Sequence, residues 1–327
     1  MKRLIKHPGA LALAGGLTLL LVGPLLIPVP PLKGTFKPRD LADDDSEFIQ
    51  LNGLDIHVKR AGQGELVFVL LHGFAASLYS WHAVTPALSQ LGKVIAYDRP
   101  GFGLSSHPLV WKGQNPYSLD SQVALLHSLL DHFGIRQAIL VGNSAGGTLA
   151  MQAALAYPER VSALVLVDPA IYHGMGTPAW LRPVLTTPQM RRMGPLFTRQ
   201  VLTRGRDLLK LAWHDPDQIT PEMEQFYQKP FRVENWDKAL WEFTLASQAS
   251  NLSARLNEIS MPVLVVTGDD DRIVPTADSV KLAKALPNGT LHVIGNTGHV
   301  PHEEKPQAFM DAVSQFISNL TQENIHA

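Results

Sequence analysis

Short apolar runs rich in β-branched residues recur along the chain: Leu66 to Leu71, Val94 to Tyr97, Ala138 to Val141, Ala163 to Val167, Val263 to Thr267 and Leu291 to Ile294. Runs of this length without polar alternation predict strands buried on both faces of a sheet. Upstream, Glu47 to Leu51 and Leu54 to Lys59 alternate in polarity on either side of Asn52-Gly53, a pair that accepts the positive φ angles of a tight hairpin turn. An antiparallel edge is expected there. Helical spacing of apolar positions appears at Leu119 to Phe133, Thr148 to Tyr157, Ala277 to Leu286 and Pro306 to Leu320. Strands alternating with helices predict an α/β fold, a mostly parallel sheet covered by helices on both faces.

The alternation stops between residues 171 and 257, where prolines punctuate short helix-like pieces and no strand pattern appears. That stretch holds four of the six tryptophans, too many for a solvated loop, so a helical cap over an apolar pocket is expected. At the other end, Lys2, Arg3 and Lys6 precede an uncharged run from Leu11 to Ile27, and no small-residue cleavage site follows it. An uncleaved membrane anchor is the expectation, the basic residues on both flanks leaving its orientation open. The organisation predicted is an anchor or signal-like segment over 1–32, a proline-rich and acidic linker over 33–45, an α/β core over 46–170 and 258–320, and the cap over 171–257.

Composition then removes several function classes. Twenty-eight Lys plus Arg against 29 Asp plus Glu give a net charge of −1, without the basic excess that nucleic-acid binding draws on. The chain has no cysteine, which excludes disulfides, thiol nucleophiles and cysteine-based zinc sites.

The chemistry gathers at the predicted strand ends. Gly142-Asn143-Ser144-Ala145-Gly146 follows one apolar run and opens a helical segment, so Ser144 sits on a strand-to-helix turn too tight for side chains two positions either side of it. A serine needs a base, and of the 13 histidines His299 has the best context, directly after the last strand in Asn296-Thr297-Gly298-His299. His72, in His72-Gly73, is expected to brace a loop, and His302 to lie on the surface or support the site from behind. The imidazole needs a carboxylate. Asp269, Asp270 and Asp271 follow strand Val263 to Thr267 and give the chain order serine, acid, histidine; Asp271 is assigned the role because it lies furthest along the loop. The backbone N–H groups of Phe74 and Ala145 are the expected oxyanion donors.

With these motifs in place, the sequence resembles the α/β-hydrolase superfamily from about residue 46 to 320. The resemblance rests on His72-Gly73-Phe74, Asp98 to Gly103, Gly142 to Gly146, Gly268 to Asp271 with Pro275, and Gly298-His299 with Glu303. It implies a serine hydrolase whose Ser144, Asp271 and His299 act without metal or organic cofactor. A small, apolar, lipid-like carboxylic ester is the expected substrate, with a membrane as partner through the N-terminus and no nucleic acid. Ser144 at the elbow separates the chain from dehalogenases and epoxide hydrolases, which resemblance endows with an aspartate there. Carbon–carbon hydrolases of aromatic ring-cleavage products often share the Gly-Asn-Ser sequence and are the alternative. They usually carry a more glycine-rich oxyanion loop and a tryptophan after the catalytic histidine, where this chain has Phe74-Ala75-Ala76 and Val300. Cofactor-free perhydrolases and haloperoxidases share the same triad.

Overall fold

The computed structural model describes residues 15–16, 19, 21–172, 176–178, 180–248 and 250–326. Eight strands form one sheet: β1 (Glu47–Leu51), β2 (Leu54–Ala61), β3 (Val67–Leu71), β4 (Lys93–Tyr97), β5 (Ala138–Asn143), β6 (Val161–Val167), β7 (Val263–Gly268) and β8 (Gly289–Ile294). Their spatial order is β1-β2-β4-β3-β5-β6-β7-β8. β2 runs antiparallel to β1 and β4, and β4 through β8 are parallel. The hairpin between β1 and β2 turns at Asn52 (φ 51°) and Gly53 (φ 80°), as that pair requires.

The pleat sends alternate residues of the central strands to opposite faces. On β3, Val69 and Leu71 enter one core with Leu129 of α2 (Leu119–His132), Leu149 of α3 (Ala145–Ala156) and Leu282 of a later helix. Phe68 and Leu70 enter the other core, with Leu88 of α1 (Thr85–Leu91) and Phe309 and Val313 near the C-terminus. Each such side chain, wholly removed from water, contributes about 1.5–3 kcal/mol to holding a helix on the sheet. β8 departs from the expected double burial. It is the sheet's outer strand, and only Ile294 along it is buried.

Between β6 and β7 the chain forms α4 (Arg182–Leu185), α5 (Pro188–Thr198), α6 (Gln200–Ala212), α7 (Pro221–Gln228) and α8 (Trp236–Ala246). α5 meets α8 so closely that a Cβ on Gly194 would fall 2.1 Å from the Trp241 ring. After β7 come α9 (Thr276–Ala285), α10 (Pro301–Glu304) and α11 (Pro306–His326).

The expected membrane anchor is corrected. Among the described residues no helix is long and apolar enough to cross a membrane. Of the stretch from Leu11 to Ile27, residues 11–14, 17, 18 and 20 lie outside the described residues, and residues 21–26 form one short helical piece. The chain there is tied to the helical insertion. Gln189 Nε2 donates to the Leu21 carbonyl (2.8 Å), Arg192 Nη2 to that of Ile27 (3.1 Å) and Arg199 Nη1 to that of Pro30 (2.7 Å). Further on, Phe36 bridges Val233 in parallel, and Asp43 pairs with Lys59 (2.8 Å) and Lys229 (2.5 Å). The apolar pattern misled because it counts side chains; the carbonyls are used by polar residues of the insertion. A membrane-anchored localisation is therefore dropped.

Candidate active site

The parallel register aligns the C-terminal ends of the central strands, with Leu71 beside Gly142, Asn143 beside Val167, and Gly268 beside Ile294. Loops leaving these ends meet on one edge of the sheet.

Ser144 bridges β5 and α3 with φ 52° and ψ −117°, a left-handed conformation that costs a non-glycine residue about 1–3 kcal/mol. The turn has no room for larger neighbours. A Cβ on Gly142 would lie 2.5 Å from the Gly146 carbonyl oxygen, and one on Gly146 would lie 2.0 Å from that of Leu71. Ser144 N donates to the Val167 carbonyl (2.9 Å), pinning the turn to β6. Ala145 opens α3, so its N–H has no carbonyl within the helix to bind. Gly73 packs against the same turn: a Cβ there would be 3.5 Å from Ser144 Cβ. Phe74, next in sequence, carries the second expected oxyanion N–H into this neighbourhood.

His72 is a brace. Its Nδ1–H donates to the Gly73 carbonyl (2.8 Å) and its Nε2 accepts from Arg99 N–H (3.1 Å), which uses both ring nitrogens. Burial and the Arg99 charge push it down to about 3, so it stays neutral and holds the loop in place. Arg99 itself donates to the Gly73 carbonyl (3.0 Å) and to Gln122 (3.2 Å).

His299 is buried, with Nδ1 2.7 Å from Asp271 Oδ2. Of the three aspartates after β7, this is the one that reaches it. Asp271 Oδ1 accepts from the N–H groups of Ile273 (2.8 Å) and Val274 (2.9 Å), a short turn that fixes the carboxylate. Asp270 turns outward to His214 (2.8 Å) and Arg272, and Asp269 accepts from Thr297 N–H (3.2 Å). The His299 loop is held from two sides. Asn143 Nδ2 donates to the His299 carbonyl (3.1 Å), and His299 N–H donates to the Ala212 carbonyl at the end of α6 (2.6 Å). Glu304 accepts from Gly298 N–H (2.5 Å) and His214 N–H (2.8 Å), tying the same loop to the insertion.

His302 is not a surface residue. It is wholly buried with its ring 4.3 Å from that of Trp81, and burial pushes it down to about 3. Its neighbour Glu303 is also buried and accepts from Tyr227 Oη of α7 (2.5 Å). Burial raises Glu303 to about 8, the Tyr227 donor opposing.

Above the strand ends lies an apolar cluster of Phe102, Trp236, Leu240 and Phe243, with Phe74 packed against it. Phe74 stands 5.8 Å from Phe243 and 6.0 Å from Phe102, ring centre to centre. The loop bearing Phe74 thus joins an apolar wall supplied by α8. A larger groove of about 710 Å³ runs between Val29 to Leu32 and the arginines of α5 and contains none of Ser144, Asp271, His299 or Phe74.

Among the described residues, one group could bring three metal-ligating atoms within 4.8 Å of one another: Asp168, Asp271 and His299. Asp271 already spends its oxygens on His299, Ile273 and Val274. Sequence reasoning missed Asn143, Asp168 and the Ala212 contact. Asp168 could have been found, because it follows an apolar strand run just as Asp269 to Asp271 do.

The family model for the alpha/beta hydrolase fold matches residues 67–306. A 2-hydroxy-6-oxononadienedioate/2-hydroxy-6-oxononatrienedioate hydrolase from Burkholderia vietnamiensis is 33% identical over 86% of this chain and 96% of that protein. A 2-hydroxy-6-oxo-6-phenylhexa-2,4-dienoate hydrolase from Burkholderia cepacia is 31% identical over 84% of this chain and 96% of its own length. Among solved structures, a meta-cleavage product hydrolase from Pseudomonas fluorescens IP01 superposes with a TM-score of 0.66 at 26% identity, over 84% of this chain and 97% of that one. A thermophilic esterase from Thermogutta terrifontis has a TM-score of 0.69 at 23% identity, over 84% and 98%, a likeness of fold.

Proposed function

This chain belongs to the α/β-hydrolase fold family, and from that premise we propose that it is a hydrolase in which Ser144 attacks a carbonyl carbon, His299 takes the serine proton and Asp271 holds the imidazole. The observation that carries the reading is the 2.7 Å contact between His299 Nδ1 and Asp271 Oδ2, beside a serine on a strained turn at the head of α3. That contact fixes the proton on Nδ1, which leaves Nε2 free to accept. The N–H groups of Phe74 and Ala145 would bind the oxyanion, each worth about 3 kcal/mol by general precedent. The helices between β6 and β7 act in this reading as the cap that supplies the apolar wall. The acyl group forms an ester with Ser144, the leaving group departs with the proton from His299, and water repeats the cycle.

For the bond cleaved, the relatives favour a carbon–carbon bond next to a ketone in an oxo-dienoate of the ring-cleavage type, since the compared enzymes at 31% and 33% identity are named for such substrates. A shift of the 2-hydroxyl proton to C5 gives the 2,6-dioxo tautomer. Attack on the C6 ketone then breaks the C5–C6 bond, its electron pair delocalises through C3=C4 onto the C2 ketone, and the leaving group takes the proton from His299. A second reading, hydrolysis of an apolar carboxylic ester, is favoured by Val300 directly after His299 and by the apolar cluster of Phe74, Phe102 and Phe243. Turnover of a 2-hydroxy-6-oxo-dienoate should exceed turnover of aryl and alkyl esters of graded chain length at equal concentration. Ester turnover with no loss of the dienoate chromophore would overturn the carbon–carbon reading and leave the second standing.

A further inference from the structure

Asp168 leaves the end of β6 wholly buried, with φ 44° in the left-handed region that a non-glycine residue rarely adopts. Its N–H donates to the Val266 carbonyl (2.9 Å), so the conformation is imposed by the neighbouring strand. Oδ1 accepts from Thr267 Oγ1 (2.6 Å) and from Gly268 N–H (3.3 Å). Oδ2 has no donor among the described residues. The ionisable groups facing this carboxyl are Asp271 and His299, with ligand-capable atoms of all three within 4.8 Å of one another.

Two carboxylates facing each other out of water cannot both stay ionised at neutral pH. The charge belongs on Asp271, which has His299 on Oδ2 and two backbone N–H groups on Oδ1. A second full charge there would also favour a protonated imidazole, which could not accept the Ser144 proton. Resting on the triad reading above, we infer that Asp168 is a neutral carboxylic acid that donates its O–H to the Asp271 carboxylate, a positioning residue that clamps Asp271 against His299. Burial and the Asp271 charge both push Asp168 well above the ordinary carboxylate range, with the Thr267 and Gly268 donors opposing.

The test uses Asp168→Asn, which keeps a donor at that position, and Asp168→Ala, which does not. The infrared difference between the wild type and Asp168→Asn at neutral pH should show a protonated-carboxyl C=O band present only in the wild type, Glu303 contributing equally to both. This readout needs no turnover. Asp168→Asn should keep kcat within about fivefold, with the acid limb of its pH profile in place, whereas Asp168→Ala should lose about 10–100-fold in kcat at constant KM. An infrared difference without that band, an acid limb moved by about one unit or more in Asp168→Asn, or an unchanged kcat in Asp168→Ala would each overturn the inference. If Asp168→Ala does not fold by circular dichroism, the asparagine variant and the infrared band decide alone. Undiminished turnover in Ser144→Ala would instead remove the triad reading and leave the infrared result standing.

Discussion

The described residues contain two buried histidine–aspartate chains of the same length. In one, His299 Nδ1 lies 2.7 Å from Asp271, on the loops beside Ser144. In the other, His57 Nδ1 lies 2.7 Å from Asp98 and its Nε2 lies 2.8 Å from Ser46 Oγ, below the antiparallel edge of the sheet. Their surroundings differ. Ser144 stands on a strained turn at the head of a twelve-residue helix, against a glycine loop and an apolar wall. Ser46 ends an acidic turn, its hydroxyl already accepts the Asp43 N–H (3.0 Å), and Asp43 to Asp45 would repel a developing oxyanion. Asp98 is further committed to the N–H groups of Leu78 and Leu104, both at 2.7 Å, so it knots three loops together. A buried histidine–aspartate contact is not enough for catalysis. The strained turn at the head of α3 and the apolar cluster packed against Phe74 separate the two chains.

The largest effect should come from the serines. Ser144→Ala is expected to lose ~10⁴-fold or more in kcat, while Ser46→Ala keeps the rate within about twofold. A fluorophosphonate probe followed by peptide mapping should label Ser144 only; labelling of Ser46 would erase the distinction. Next come the acids. Asp271→Asn should lower kcat by up to ~10⁴-fold, and Asp269→Asn and Asp270→Asn by about tenfold or less, since both of those side chains face away from His299. Kinetics of the three variants on one substrate at one pH decide it, and a large loss confined to Asp270→Asn would move the role.

The histidines should separate rate from stability. His57→Ala leaves a fully buried Asp98 without its ring partner, so it should cost about 3–5 kcal/mol in urea unfolding while the folded fraction keeps its kcat. An equal loss of rate would make the second chain part of the reaction. The smallest effect is a pH dependence of stability. Burial alone would raise Asp98, but His57 and the Leu104 N–H hold it below the ordinary carboxylate range, so its contribution is present at neutral pH and lost on acidification. Glu303 runs the other way. Raised from 4.5 to about 8, its contribution is full at pH below 4.5 and is lost as pH climbs to about 8. Glu303→Gln should therefore gain on the wild type, by on the order of a few degrees in Tm, between pH 5 and pH 9. A constant Tm difference across that range would contradict it.

Much of this was legible in the sequence for local reasons. A strand buried on both faces has to be apolar throughout, and a serine on a tight turn has to have glycines two positions away, so β3 to β7 and Ser144 announce themselves. Asp271 and His299 were reachable by one rule, that loops leaving parallel strands share an edge. What stayed hidden depends on partners distant in sequence. Nothing near Asp168 says that Asp271 will face it across a hundred residues, and nothing near His299 names Ala212. His302 reads as a surface or supporting residue, yet Trp81 covers it and Tyr227 bonds Glu303 beside it. The run Leu291 to Ile294 reads as core and lies on the rim, because among the described residues no strand pairs beyond it. The N-terminal apolar run shows the same limit: hydropathy describes what a segment prefers, not which carbonyls its neighbours will take.

The bond from His299 N–H to the Ala212 carbonyl acts as an interlock. Ala212 ends α6, and a Cβ on Gly298 would come within 2.3 Å of that same carbonyl, so the loop bearing the base and the end of the helix are seated together. If α6 lifts to admit a molecule, the backbone under the imidazole loses its stop.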